Sequence, residues 1–482
     1  MTYHYVIDIG TTSIKLGVFT SQGQGPLVTY HRDNQSFSQV PGRHEQNPDF
    51  ILEQIKVLIA KTKSSYPVNK IVFSSQMHSL MITDSTFTPL TRLLTWADQR
   101  AGDLALRWRH SQKGQNYQKL TGTPLHAMSP LAKLAYFRLH QAELLQTSNY
   151  IMGIKSYIIY SLTREYVCDQ SLASTTGLYA SETGHWAASI LTDLGISESQ
   201  LPTVKKLASS YPISSKVAQE LGVKESLEIV LGGADGTLAN FAYLEQTTSY
   251  PLLSFGTSGA VRLSQGNFVV DELGQYFTYI LDDDGHYLRG APLNNMGNVL
   301  ARLHQEAYSQ YSFSTMLDQL LAQTSQQPGP EIFLPYCHGE RAPFWNARLK
   351  PGFYDIRPTT RPKDKHRAVI EGIFLQLRLV LTGLEREIKL KDKKLLVNGR
   401  IFTHPGMGQW LADISGWTIE VLDVGDASLL GANRLITGVK ADVSSGPQYC
   451  PHPISAQAYD KKFHRFAELA QACHENSLSD II

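Results

Sequence analysis

Apolar positions along the first half of the chain alternate between short runs and helical stripes. Residues 5–8 and 14–20 are mainly apolar stretches of strand length around Gly10-Thr11-Thr12, which predicts two strands joined by a tight turn. Asn47-Pro48 has the form of an N-cap followed by proline at the first helical position. Ile51, Leu52, Ile55, Leu58 and Ile59 then follow at helical spacing. Residues 70–75 predict a short strand that ends in Gln76-Met77-His78, and 130–145 predict a helix. Further on, 227–231 read as an apolar strand, 370–384 as a core helix and 456–473 as a terminal helix. Loops are expected over 325–330 and 357–365. Strands separated by helices argue for an α/β architecture.

One pattern occurs twice. Ile7-Asp8-Ile9-Gly10-Thr11-Thr12-Ser13-Ile14-Lys15-Leu16 returns as Leu253-Ser254-Phe255-Gly256-Thr257-Ser258-Gly259-Ala260-Val261-Arg262. Each copy reads as apolar strand, Gly-Thr-(Thr/Ser) turn and second strand. The copies lie about half a chain apart, which implies two related domains, 1–243 and 244–482.

Composition narrows the class. The chain has 482 residues with 44 Lys+Arg against 43 Asp+Glu, a net charge of +1. So even a balance supplies no general field for nucleic acid or an anionic membrane, and neither is expected as a partner. Hydrophobic residues make up 42%, which excludes the disordered class. Cys168, Cys337, Cys450 and Cys473 form no CxxC pair, so neither a zinc knuckle nor a disulfide framework is signalled. The N-terminal residues lack a secretory pattern, and no apolar run has membrane length. A cytoplasmic protein with reduced thiols is expected.

The glycine turns are the first candidate chemistry. Glycine permits close approach, and turn amides with neighbouring hydroxyls form an anion-binding concavity. Each turn is either such a phosphate grip or an ordinary hairpin turn. No GxxxxGK(S/T) is present, and no GxGxxG follows a predicted strand. Asp8 immediately precedes the first turn. A carboxylate beside a phosphate calls for an intervening cation, and Mg²⁺ is the natural one. Asp235, in Gly232-Gly233-Ala234-Asp235-Gly236, follows an apolar strand and is flanked by glycines. Such an aspartate can accept a hydroxyl proton, or simply belong to a turn between strand and helix.

Taken in order, these segments resemble the FGGY family of carbohydrate kinases, from about Tyr5 to Ala432. The likeness rests on Asp8–Thr12, Gln76-Met77-His78, Trp96-Ala97-Asp98-Gln99-Arg100, Pro130–Leu134, Gly233–Gly236, Gly256–Gly259, Gly339-Glu340-Arg341-Ala342-Pro343 and Ala427–Ala432. Thr121–Pro130 and Asp169–Leu178 look like the gluconate-kinase subgroup, with xylulose kinases the next most similar. The resemblance implies an α/β fold of two actin-like ATPase (ribonuclease-H-like) domains flanking a catalytic cleft. It also implies ATP and Mg²⁺ as cofactors. Asp235 matches the general base and Asp8 the metal-linked carboxylate. Gly10, Thr11, Thr12 and Lys15 match the first phosphate segment, Gly256 and Thr257 the second. Gly297 and Gly399 match nucleotide-side glycines, with Arg400 where the family usually has a further glycine. Met77, His78, Trp96, Asp98 and Arg100 match sugar-contacting positions.

Along an extended segment, Trp96, Asp98 and Arg100 would share one face. A sugar acid would also want cationic or N–H partners, for which His78, Arg100, His126, Lys133 and Arg341 are candidates. Arg100 and Arg341 can equally hold salt bridges, and Lys133 can sit on a solvated helix face. At Arg400, a guanidinium either blocks the close approach of adenine or stacks on it. The expected reaction is phosphorylation of D-gluconate to 6-phosphogluconate. Xylulose or another polyol is the alternative acceptor, and a non-enzymatic nucleotide- or sugar-binding pseudokinase a remote one. The expected partner is this small molecule, and a homodimer is compatible with the sequence.

Overall fold

The computed structural model of the chain describes residues 3–322, 328–388, 390–423 and 425–479. It divides into two compact units. The first comprises Met1–Leu244, Ser264–Leu288 and Gly425–Asp442; the second comprises Glu245–Leu263, Arg289–Val424 and Val443–Ile482.

In the first unit, the described strands β1 (Tyr3–Ile9), β2 (Ser13–Thr20), β3 (Val28–Asp33), β4 (Val68–Ser75), β5 (Ser210–Pro212) and β6 (Glu228–Ala234) form a sheet in the order β5-β6-β4-β1-β2-β3. β1 and β2 are an antiparallel hairpin with Ile9 opposite Ile14. β1 runs parallel to β4 and β4 parallel to β6, while β5 is an antiparallel edge. β1 is buried on both faces beyond Tyr3, so it reads as a continuous apolar run rather than an alternating one. Helix Pro48–Thr62 sets Ile51, Ile55, Leu58 and Ile59 against Tyr5, Ile7 and Ile9, and helix Ile154–Thr163 adds Ile154, Ile158 and Leu162 to the same core. Asn47 is the expected cap: its Oδ1 accepts the N–H groups of Asp49 and Phe50 at 3.0 and 3.3 Å.

In the second unit, β7 (Leu252–Phe255), β8 (Gly259–Gln265), β9 (Tyr287–Leu293), β10 (Lys394–Asn398), β11 (Thr418–Asp423) and β12 (Ser444–Tyr449) run in the order β9-β8-β7-β10-β11-β12. β7 and β8 are again an antiparallel hairpin. β10 lies parallel to β7, β11 parallel to β10, and β12 is an antiparallel edge. The arrangement around the first glycine turn is thus repeated around the second, as the paired sequence pattern implied.

Several boundaries differ from expectation. The core helix is longer, Pro362–Glu387, and takes in the end of the loop expected over 357–365 because Pro362 starts it at a position where its missing N–H costs nothing. The helix expected over 130–145 stops at His140 and continues as a short 3₁₀ turn, Ala142–Leu145. The terminal helix is Pro453–Asn476. Of the loop expected at 325–330, residues 325–327 lie outside the described residues. All four cysteines are free thiols. No described helix is long and apolar enough to cross a membrane.

Candidate active site

The first glycine turn is held from behind by amide side chains. Gly10 N–H donates to Ser13 O at 3.0 Å, closing the hairpin. Asn34 Nδ2 donates to Gly10 O at 3.0 Å, Asn34 N–H to Thr12 O at 2.9 Å, and Gln46 Nε2 to Thr11 O at 2.7 Å. The turn carbonyls, which would repel a phosphate, are therefore each engaged by a protein donor. Thr11 Oγ1 donates to Gln76 Oε1 at 2.8 Å and accepts Trp96 Nε1 at 3.1 Å. Gln76 Nε2 in turn donates to Gln46 Oε1 at 2.8 Å. Thr12 is exposed beside it.

Asp8 lies one strand position behind this turn, level with Ser74 of β4, whose hydroxyl donates to Asp8 Oδ1 at 2.5 Å. Across the hairpin Asp8 faces Lys15. Lys15 Nζ meets Asp426 Oδ2 at 2.5 Å, and Ser428 Oγ donates to Asp426 Oδ1 at 3.1 Å. Burial pushes the Asp8 carboxyl above the usual carboxylate range; the Ser74 hydroxyl opposes this and the Asp426 charge adds to it. A cation would relieve both the burial and the repulsion. The oxygens here suit Mg²⁺, which binds through one or two carboxylates together with substrate phosphates. Among the described residues no three His, Cys, Asp or Glu side chains gather into a complete ligand set.

Asp235 follows β6 directly, half-buried, at the first position of helix Asp235–Phe241. Its Oδ1 accepts the Gly236 N–H at 2.7 Å. The strand shifts register between Val230 and Gly233. Gly232 makes that bulge at φ +65°, and a Cβ there would come within 1.8 Å of Phe73 O. Beyond the bulge, Gly233 is level with Ser74, and Ser74 with Asp8. Asp8 and Asp235 thus stand at the carboxyl ends of strands separated by one parallel neighbour, the end of an open α/β sheet where ligands bind.

The sugar-side candidates form a second cluster in the same unit. His78 has φ +63°, and its Nδ1 bonds Thr175 O at 2.9 Å. Lys133 is 1% exposed, not on a solvated face, and its Nζ donates to His78 O at 2.5 Å. Burial draws the Lys133 ammonium down to about 7; Asp98 opposes this and Arg100 adds to it. Residues 96–100 are a turn rather than an extended segment, because Asp98 N–H closes back on Thr95 O at 3.2 Å. The expected shared face is therefore not formed. Trp96 points to Thr11, whereas Asp98 takes Arg100 NH2 at 2.9 Å and the His44 N–H at 3.0 Å. Arg100 NH2 also reaches Glu45 Oε1 at 2.6 Å, so it holds salt bridges. Met77 packs against Phe277, Tyr279 and their neighbours. His126 is buried, with Nδ1 accepting Met128 N–H at 3.2 Å.

In the second unit the turn is held by a helix start. Gly297 N–H donates to Gly256 O and Asn298 N–H to Thr257 O, both at 3.0 Å. A Cβ on Gly297 would come within 2.6 Å of Gly256 O, so this glycine lets the helix start close against the turn, and its N–H is spent on that contact. Gly256 and Thr257 are exposed. Gly399 has φ +139°, and a Cβ there would meet Phe255 O at 2.4 Å. Arg400 is exposed at the first position of the short helix Arg400–Thr403. Arg341 Nε donates to Asn294 Oδ1 at 2.7 Å, so this candidate braces the loop before helix Gly297–Ala307. Glu340 beside it accepts Asn294 N–H at 2.7 Å and Asn295 Nδ2 at 2.9 Å.

Asn34, Gln46, Ser74, Asp426 and Ser428 were not singled out from sequence. Ser428 lies inside the quoted 427–432 segment and Asp426 directly precedes it, while Ser74 lies in the strand expected over 70–75; Asn34 and Gln46 lie in segments without pattern.

The gluconokinase of Bacillus subtilis (strain 168) is 31% identical to this chain over 447 residues, covering 89% of this chain and 86% of the relative. The crystal structure of gluconate kinase from Lactobacillus acidophilus matches with a TM-score of 0.90 and 27% identity, covering 98% of this chain and 99% of that one. That of ligand-bound xylulose kinase from Lactobacillus acidophilus also matches at 0.90 and 27%, covering 98% of each chain. Residues 3–242 match the N-terminal domain model of the FGGY carbohydrate kinases and residues 252–436 the C-terminal one. With hairpin-centred sheets of one topology in both units and both domain models matched, this chain belongs to the FGGY family of carbohydrate kinases and has its two-domain, actin-like α/β fold.

Proposed function

We propose that this carbohydrate kinase transfers the terminal phosphoryl group of ATP to the terminal hydroxyl of D-gluconate, giving 6-phosphogluconate. The observation that carries the reading is Asp235, a half-buried carboxylate at the same sheet end as Asp8 and the Gly10-Thr11-Thr12 turn. In this reading Asp235 accepts the hydroxyl proton as the oxygen attacks phosphorus. The turn residues and Lys15 orient the polyphosphate, with the turn carbonyls held away by Asn34 and Gln46. Mg²⁺, held by Asp8 with the phosphates and flanked by Asp426, would neutralise phosphate charge. Gluconate is favoured as acceptor by the likeness to gluconokinases and by Lys133, a buried cation beside His78 that suits a carboxylate.

The equal structural likeness to a xylulose kinase supports a second reading, with a neutral ketopentose as acceptor. A coupled ADP-release assay across gluconate, xylulose, ribulose and glycerol separates them. Gluconate is expected to give the highest kcat/KM. Turnover of xylulose without turnover of gluconate overturns the assignment.

A further inference from the structure

Asp169–Leu178 has no part in the chemistry above, yet the structure ties it to Asp235. Ser171, in the helix Gln170–Ser174, donates its hydroxyl to Asp169 Oδ1 at 2.6 Å. Ser171 Oγ in turn accepts the Ala234 N–H at 2.9 Å, from the residue immediately before Asp235 and 63 positions away in sequence. Thr237 Oγ1 lies 3.4 Å from it, one turn into the helix that Asp235 begins. Ser171 is fully buried, and a Cβ on Gly233 would sit 3.1 Å from its Oγ, so the contact leaves little room for play.

Behind Ser171 stands a buried ion pair. Asp169 and Lys155 are 0% and 2% exposed and meet at 2.6 Å. Asp169 Oδ1 also accepts Leu172 N–H at 3.0 Å, which fixes the carboxylate to the start of the helix. A buried pair of this kind is weak evidence for stability, but it places a charge directly behind the Ser171 hydroxyl. The following residues extend the connection. Thr175 O accepts His78 Nδ1 at 2.9 Å, and Ser174 Oγ accepts the Ile280 N–H at 3.0 Å. One short helix therefore holds the strand end that carries Asp235 and the ring of His78.

We propose that Ser171, anchored by the Lys155–Asp169 pair, is a positioning residue for Asp235: it fixes the Ala234 amide and so the angle at which the carboxylate meets the acceptor hydroxyl. The inference rests on Asp235 being the general base. It acts through orientation, so its loss lowers kcat more than it raises the sugar KM. A displacement of about 1 Å at a reacting group costs roughly 10²-fold.

A double-mutant cycle tests this, with Ser171→Ala, Asp235→Asn and the pair measured for kcat, sugar KM and thermal midpoint. Ser171→Ala is expected to lower kcat roughly 10²-fold with KM changed less than about threefold. Asp235→Asn is expected to lower kcat roughly 10²–10⁴-fold. In the Asp235→Asn background, Ser171→Ala should lower the residual kcat no further, because the group it positions is gone. The same factor in both backgrounds overturns the proposal, as does wild-type kcat in Ser171→Ala beside an inactive Asp235→Asn. Near-wild-type turnover in Asp235→Asn removes the base itself, and this proposal with it. If Ser171→Ala fails to fold, Ser171→Cys, which leaves only a weak acceptor, carries the same comparison: a smaller loss of kcat that vanishes in the Asp235→Asn background is expected, and the same loss in both backgrounds, or no loss at all, overturns the proposal.

Discussion

Both glycine turns sit between antiparallel strands at the centre of their sheets, and both have their carbonyl oxygens engaged by protein donors. The donors differ. Around Gly10 they are the side chains of Asn34 and Gln46 and one backbone amide. Around Gly256 they are the first amides of helix Gly297–Ala307. The side chains flanking the turns differ as well. Asp8 and Lys15 in the first hairpin correspond to Ser254 and Val261 in the second. The repeated backbone keeps its turn carbonyls engaged in both copies, while at these two positions ionisable side chains stand in the first copy only. A further contrast lies deeper. Burial draws Lys133 of the first unit down to about 7 and pushes Glu340 of the second up to about 7. The same desolvation thus brings a cation and a carboxylate from opposite sides to the same pH.

The largest effect should come from the hairpin charges. Asp8→Asn is expected to lower kcat by roughly 10²–10³ and to raise the Mg²⁺ concentration needed for half-maximal rate. Ser254→Ala, at the matching position, should change kcat by less than about threefold. Equal losses in steady-state assays would erase the asymmetry between the copies.

The buried titrating groups should give stability slopes of opposite sign. Lys133 has its folded value below the unfolded 10.5, so between about 7 and 10.5 the unfolded chain holds the extra proton and stability rises with pH. Glu340 has its folded value above the unfolded 4.5, so between 4.5 and about 7 the folded chain holds the extra proton and stability falls as pH rises. Relative to wild type, Lys133→Met should therefore gain as pH drops toward 7, and Glu340→Gln should gain as pH rises toward 7. Thermal midpoints across pH 5–10, on the order of a few degrees apart, would read both slopes. A flat difference for either variant would remove that group from the comparison.

The smallest effect concerns the turns themselves. A Cβ at Gly10 would lie 2.9 Å from Ser13 O, and one at Gly256 3.2 Å from Ser258 O. Gly10→Ala should cost about 1–2 kcal/mol and Gly256→Ala less, since the second contact needs a smaller shift. Calorimetric midpoints in the opposite order would show the first turn to be the more yielding one.

Much of the frame was legible because its signals are local. Asn47-Pro48 caps its helix within a few residues, and each Gly-Thr turn lies between the strands it joins. Residues 96–100 form a turn and not the extended segment expected of them, since Asp98 N–H closes on Thr95 O and Arg100 bonds Asp98. Of the two readings open for Lys133, the solvated helix face is excluded, since the helix Pro130–His140 is buried around it. Neither outcome has a signature in the spacing of apolar residues.

By itself, then, the sequence determined the strand–turn–strand units, their duplication, and the carboxylates at strand ends, since these follow from chain geometry over about ten residues. Only the tertiary structure decided which groups serve them. Lys15 meets Asp426 across 411 positions, Thr11 meets Gln76 across 65, and Ala234 meets Ser171 across 63. Such pairs are selected by strand order and by the cost of leaving buried polar groups unpaired, and both arise only when the chain has closed on itself.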